Sequence, residues 1–221
     1  MIKRIFDIIF SAIALLILIP LFIPIMIILK FSGEGEIFYR QKRIGIGCKP
    51  FYITKFATML KDSPNIGTGE ITLKNDPRVL PIGAFLRKTK INELPQFWDV
   101  FIGTMSFVGP RPQTPKTVDM FPEKYKDVLK QIKPGITGVG SIIFRDEETI
   151  LSSAKDYDAC FRNEVIPYKA DLEVWYNENR TFLMDIILCF ITAWVILKPK
   201  SQTLFKIYPS IPKQNTEFFG A

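Results

Sequence analysis

One apolar run near the amino terminus, residues 5–29 (IFDIIFSAIALLILIPLFIPIMIIL), most constrains what this chain can become. From Ile8 to Leu29 no residue carries a charge. Those 22 residues would make a helix about 33 Å long, close to the thickness of a bilayer's hydrocarbon core. Pro20 and Pro24 interrupt the run, and basic residues flank it on both sides: Lys3 and Arg4 before, Lys30, Arg40, Lys42 and Arg43 after. Lys and Arg in short loops stay cytoplasmic, so neither flank reads as translocated. The pattern predicts a helix that enters the membrane, breaks at Pro20 and returns to the same face. A straight, tilted span is the alternative, because neighbours can re-satisfy a carbonyl freed by proline. A cleaved signal peptide fits poorly: the stretch is too long and lacks a small-residue cleavage site. A soluble core helix would carry a polar stripe, and this one has none.

The 221 residues suffice for one membrane element and a modest domain with its own core. The formal net charge of +7 beside a membrane segment points to anionic lipid or phosphorylated substrates. No basic-aromatic recognition module is present, so nucleic acid is not an expected partner. With no histidine, imidazole acid–base chemistry and imidazole metal ligands are excluded. Cys48, Cys160 and Cys189 are too few and too scattered for a disulfide framework or a zinc site.

Short β-prone runs at 37–39 and 51–53, with Gly45 and Gly47 between them, predict a small hairpin. Residues 61–78 read as a loop. From Val79 to Phe107 the apolar spacing predicts two short helices separated near Asn92, with Pro95 in a first turn and Gly103 ending the second. Residues 118–131 and 146–161 read as helices, and KPGITGVG (133–140) as a glycine-rich loop. The tail from Tyr168 to Leu197 has a polar half and an apolar half of about 17 residues containing Asp185, short and charged for a span. It fits a helix lying in the membrane interface with Trp194 at headgroup level.

Polar groups concentrate within 79–112. Arg87, Lys88 and Lys90 precede Glu93, and Arg111 stands between two prolines. Arg gives bidentate phosphate contacts and Lys a point charge. A carboxylate among them could hold Mg²⁺ together with substrate phosphates. A solvated basic face touching lipid headgroups would show the same composition. PGITG alone is a weak signal: such loops can cradle phosphate, but most are turns.

In combination these segments resemble the bacterial sugar transferases, the small monotopic phosphoglycosyl transferases. The likeness runs in order through KRIFD (3–7), FYRQKRIG (38–45), KPFYITKFATM (49–59), NDPRVLPIGAFLRKT (75–89), NELPQFWDV (92–100), MSFVGPRP (105–112), PGITG (134–138) and the tail around Asp185. The resemblance implies a mainly α fold (α+β with a small β-hairpin). It would be a monotopic membrane protein with a proline-broken re-entrant helix over 1–32, interfacial amphipathic helices, and a cytoplasmic, membrane-associated domain over 33–221. It implies transfer of a sugar-1-phosphate from a UDP-sugar to undecaprenyl phosphate with release of UMP and use of Mg²⁺, at the bacterial inner membrane. A second copy of the chain and downstream glycosyltransferases are candidate partners, with membrane lipid.

The family uses an Asp-Glu pair, in which the Asp attacks the β-phosphate and the Glu helps bind magnesium. Here the pair is Asn92-Glu93. A carboxamide is a poor nucleophile. Ala57 and Ala84 stand where relatives carry Arg, and Ile19 where many carry Ser before the helix-breaking Pro20. Asn92 is an engineered change, or marks a branch in which Glu93 or Asp185 takes the chemical role, or marks a pseudoenzyme or membrane scaffold. The matching candidates are Asn92, Glu93, Lys55 and Asp185 for catalysis, Glu93 for the metal, and Arg87, Arg111 and Arg145 for phosphate.

Overall fold

The computed structural model describes residues 1–67, 72, 75–199 and 201–213. The centre of the 61–78 loop lies outside the described residues. The described fold is mainly helical with one antiparallel hairpin and one long apolar helix at the amino terminus. It divides into two compact units: residues 1–42 with 52–105, and residues 43–51 with 106–221.

The first unit begins with α1 (Ile2–Lys30), one helix that runs through both Pro20 and Pro24, so the break expected at Pro20 does not interrupt it. Neither proline can donate to the carbonyl four residues back, so the carbonyls of Leu16 and Pro20 lose their helical partners. Burial along α1 is confined to its ends. Asp7 and Ser11 are buried near the start, Ile25 and Leu29 near the finish, while Leu16, Ile17, Ile19 and Ile23 stand exposed. At the start, the Arg4 guanidinium donates to the carbonyls of Val100 and Phe101, at 2.7 and 2.8 Å. At the finish, Ile25 and Leu29 form one cluster with Phe56 and Leu86, flanked by Phe22, Met26, Ile37, Ile82 and Ile91. Both ends of the helix are thus held by the same unit. Each fully buried aliphatic side chain in that cluster contributes about 2 kcal/mol.

The hairpin pairs β1 (Phe38–Ile44) with β2 (Pro50–Phe56), as the β-prone runs predicted. Next come α2 (Pro81–Lys88), a 3₁₀ turn (Ile91–Glu93) and α3 (Gln96–Ile102). Pro95 precedes the first turn of α3, and Gly103, at φ +93°, closes it in the left-handed conformation. Gly83 is required where α2 crosses the strand end: a Cβ there would lie 2.1 Å from the Thr58 carbonyl oxygen. The buried Arg78 staples the loop ahead of α2, bonding Asp76 and the carbonyls of Ser63 and Ile66.

The second unit departs from the sequence reading in three places. Residues 118–131 are not one helix. Pro122 separates α4 (Pro115–Val118) from α5 (Glu123–Gln131), because proline cannot continue a helix from the preceding turn. Residues 146–161 break at Ala154 into α7 (Glu147–Ser153) and α8 (Tyr157–Cys160), the latter capped by the Asp156 carboxylate. The glycine-rich stretch is partly strand: β4 (Gly135–Thr137) pairs in parallel with β3 (Ser106–Val108). Then α6 (Val139–Ile143) precedes α7, and α9 (Ile166–Asn179) follows α8 through a π turn. α10 (Phe182–Leu197) and α11 (Thr203–Ile207) complete the unit. α10 buries Met184, Asp185, Leu188, Ile191 and Val195 on one face and exposes Leu183, Phe190, Trp194, Ile196 and Leu197 elsewhere.

Candidate active site

In the first unit β2, α2 and the 3₁₀ turn carry four of the site residues singled out from sequence: Lys55, Arg87, Asn92 and Glu93. Lys55 on β2 pairs with Glu93 at 3.0 Å, each side chain only 15% exposed. Asn92 precedes Glu93 in the turn and is buried; among the described residues its Oδ1 has no hydrogen-bond partner. Lys90 leads into the turn at φ +61°, a left-handed conformation that costs a non-glycine residue about 1 kcal/mol or more. Arg87, in the last turn of α2, donates to the Met59 sulfur at 3.7 Å.

Two residues of this neighbourhood were missed by the sequence reading. Asp99 lies three residues beyond Gln96 on the inward face of α3, and both are buried, as is Asn92 in the 3₁₀ turn before it. Asp99 accepts from the Thr54 main-chain N–H at 2.8 Å and the Thr54 hydroxyl at 3.3 Å. Burial pushes its carboxyl up to about 6, against the opposing pull of Thr54 and of Arg40. Arg4 is the other. Its signal was a cation just ahead of the apolar run, read as topology and as part of KRIFD, with no partner assigned.

In the second unit the sequence candidates are spread out. Asp185 sits in the first turn of α10 and accepts from the buried Tyr176 hydroxyl at 2.5 Å. Burial, and then the charge and hydrogen bond of Asp185, hold the Tyr176 phenol well above its usual range. Arg145 donates to the Val195 carbonyl, near the other end of α10. At 1.5 Å rise per residue, Asp185 and Val195 are about 15 Å apart, so Asp185 and Arg145 work at opposite ends of one helix. Arg111 offers its main chain to a buried network. Its carbonyl accepts from Tyr125, and its N–H donates to Glu173. Glu173 is pushed up to about 7 by burial, and Lys169, buried between Glu147 and Glu173, is pushed down. The glycines of PGITG serve close backbone approach rather than an open cradle. A Cβ on Gly135 would lie 2.2 Å from the Gly109 nitrogen, and one on Gly138 2.4 Å from the Gly109 oxygen. This packs VGPRP and PGITG against each other main chain to main chain.

The ordered motifs now have a fold around them, and the bacterial sugar transferase profile matches residues 1–199. The chain belongs to the bacterial sugar transferase family. It is 35% identical over 206 residues to the exopolysaccharide production protein ExoY of Rhizobium meliloti (strain 1021), covering 87% of this chain and 84% of that one. It is 33% identical over 202 residues to the UDP-glucose:undecaprenyl-phosphate glucose-1-phosphate transferase of Xanthomonas campestris pv. campestris, covering 90% of this chain and 39% of that one. It is 32% identical over 210 residues to the undecaprenyl-phosphate galactose phosphotransferase of Salmonella typhimurium, covering 89% and 40%. This sugar transferase therefore spans nearly all of one kind of relative and about two-fifths of another. The names of two relatives carry different sugars, glucose and galactose.

A magnesium ion fits the first unit's donor set in a limited way. Among the described residues no group of three or more potential ligands gathers. Of the two carboxylates in this neighbourhood, Glu93 holds Lys55 and Asp99 holds Thr54. That suits a metal bound mainly through the substrate's phosphates, the usual mode for Mg²⁺.

Proposed function

We propose that this sugar transferase moves a sugar-1-phosphate from a UDP-sugar to undecaprenyl phosphate, releasing UMP, as the opening step of glycan assembly at the cytoplasmic face of the bacterial inner membrane. The observation that carries it is the part-buried Lys55–Glu93 pair, set in the same unit that grips both ends of a 29-residue apolar helix. A simple span would leave Arg4 on the far side of the bilayer from Val100 and Phe101. The contact between them supports both helix ends lying on one face of the membrane, with the backbone helical through Pro20 rather than broken there. The exposed apolar faces of α10 and of Phe85, Trp98 and Ile102 are suited to the interface.

In this reading Lys55 and Arg87 bear on the diphosphate, where cations stabilise the charge on the transferring phosphoryl group. Glu93 would hold Mg²⁺, which supplies Lewis-acid neutralisation of that same charge. Asn92 cannot attack phosphorus. Asp99 is buried with both oxygens on Thr54. We therefore assign the attack to the acceptor: an oxygen of undecaprenyl phosphate bonds to the β-phosphorus of the UDP-sugar, and the bond to UMP breaks with its electron pair leaving on UMP. The second reading, a non-catalytic membrane scaffold of the same fold, is favoured by Asn92 alone.

Purified protein in lipid nanodiscs with undecaprenyl phosphate and a panel of labelled UDP-sugars separates them. Transfer predicts label in the organic phase with at least one sugar and equimolar UMP. No product with any sugar, alongside retained UDP-sugar binding, establishes the scaffold.

A further inference from the structure

The segment 91–102 and strand β2 are tied at two points. One is the Lys55–Glu93 pair, at 3.0 Å. The other is Thr54, whose N–H and hydroxyl both reach the Asp99 carboxylate. We propose that Asp99 is a positioning residue for the transfer site: it fixes β2 in register against the 91–102 segment and so keeps the Lys55 ammonium on Glu93. This rests on reading Lys55 and Glu93 as part of that site.

A carboxylate is the one short side chain that accepts from both donors of a single residue without needing a hydroxyl to turn round. Holding an ionised group there is costly, since Asp99 is 2% exposed. Packing alone does not call for it. The groups around it are few. Thr54 faces it from β2, and Arg40 on β1 acts on it through charge. On its own helix the Gln96 Nε2 is buried with no partner among the described residues. The Asp99 main-chain carbonyl accepts from the Met105 N–H and the Thr104 hydroxyl, which close α3. Arg4 of α1 occupies the next two carbonyls. Asp99 is therefore embedded in a framework fixed on three sides, and Thr54 is the part it holds.

Two measurements on Asp99→Ala and Asp99→Asn, in the full chain in nanodiscs, test the assignment. The first reads Lys55 directly, as amine acetylation quantified by mass spectrometry against Lys88. Asp99→Ala should raise Lys55 labelling several-fold, and Asp99→Asn should not, because the amide oxygen still accepts the Thr54 N–H and the hydroxyl can accept from Nδ2. Unchanged Lys55 labelling in Asp99→Ala overturns the proposal whether or not the protein turns over. The second is the pH profile of transfer. Asp99→Ala should cost kcat about a hundred-fold, the scale of a displacement of about 1 Å, with Asp99→Asn recovering most of it. A protonated Asp99 offers Thr54 the same acceptor and donor as the amide, so the wild type and Asp99→Asn should share one profile through the region near pH 6 where Asp99 takes up its proton. Acid should meanwhile increase Asp99's contribution to stability, because its folded pKa is raised. An acid limb near pH 6 in the wild type that Asp99→Asn lacks would mean that Asp99 acts through its charge, and overturns the proposal. Absence of transfer in every protein, with Lys55 labelling as expected, removes the functional reading and leaves the positioning intact.

Discussion

Arg4→Ala tests the anchoring of the apolar helix. The last carbonyls of α3 run short of main-chain donors, Val100 having only the capping Gly103 N–H at 3.1 Å, and Arg4 supplies two further bonds, at 2.7 and 2.8 Å, with a cation at the negative end of the helix. A hydrogen bond to a charged donor contributes about 1.5–3 kcal/mol. The two share one guanidinium that is only partly buried, so the low end applies to each, and the loss should be about 3 kcal/mol. That is a large part of an ordinary stability of about 5–15 kcal/mol. Lys offers one ammonium and no fork, so Arg4→Lys should lose about half as much. Thermal or denaturant unfolding in nanodiscs gives both values. The side chain also lies 2.9 Å from where a Cβ on Gly103 would sit, so the pocket has no slack for relaxation. If Arg4→Ala and Arg4→Lys both fall within about 0.5 kcal/mol of wild type, the usual range for a bare surface position, the helix start is not docked on α3 and the reasoning fails.

Three further outcomes follow from the geometry. Gly83→Ala should cost about 3 kcal/mol, since its methyl would meet the Thr58 carbonyl 2.1 Å away and break the Leu80 N–H bond to that oxygen; a denaturant midpoint near wild type would contradict the packing. Glu173 is raised from 4.5 to about 7, so its favourable contribution is full below pH 4.5 and is lost as pH rises through 7. Up to about 3 kcal/mol is involved, and a Glu173→Gln stability curve should lack that slope. Asn92→Asp should gain exchange of labelled UMP into UDP-sugar with no lipid acceptor present, which the wild type should not catalyse; exchange by the wild type would reveal a protein nucleophile.

Much of the first unit was legible because local chemistry and tertiary structure agree there. The hairpin, the helices on either side of Asn92 and the Gly103 stop all follow from turn residues and apolar spacing. The Lys55–Glu93 pair spans 38 residues, and only the family resemblance pointed to it. Asp99 was overlooked because a lone acid in an apolar helix reads as a solvent-facing residue, whereas its place with Gln96 on the inward face of α3 puts it inside. In the second unit the reading failed where proline and glycine act over distance. Pro122 splits a convincing amphipathic pattern, and Gly135 belongs to a strand whose partner lies 29 residues earlier. The buried Lys169 and Glu173 sit in what looked like the polar half of the tail. Burial of a charge pair cannot be read from a sequence pattern that treats charge as exposed.

Sidedness of the first residue relative to the body decides the account. Single cysteines placed at Met1 and at the exposed Lys88, in a background lacking Cys48, Cys160 and Cys189, can be challenged with a membrane-impermeant maleimide on right-side-out and inverted vesicles. The account predicts that both react only in inverted vesicles. Reaction of position 1 from outside and position 88 from inside would mean a spanning helix, an Arg4 contact that does not exist in the membrane, and no basis for holding this site level with lipid-borne phosphate.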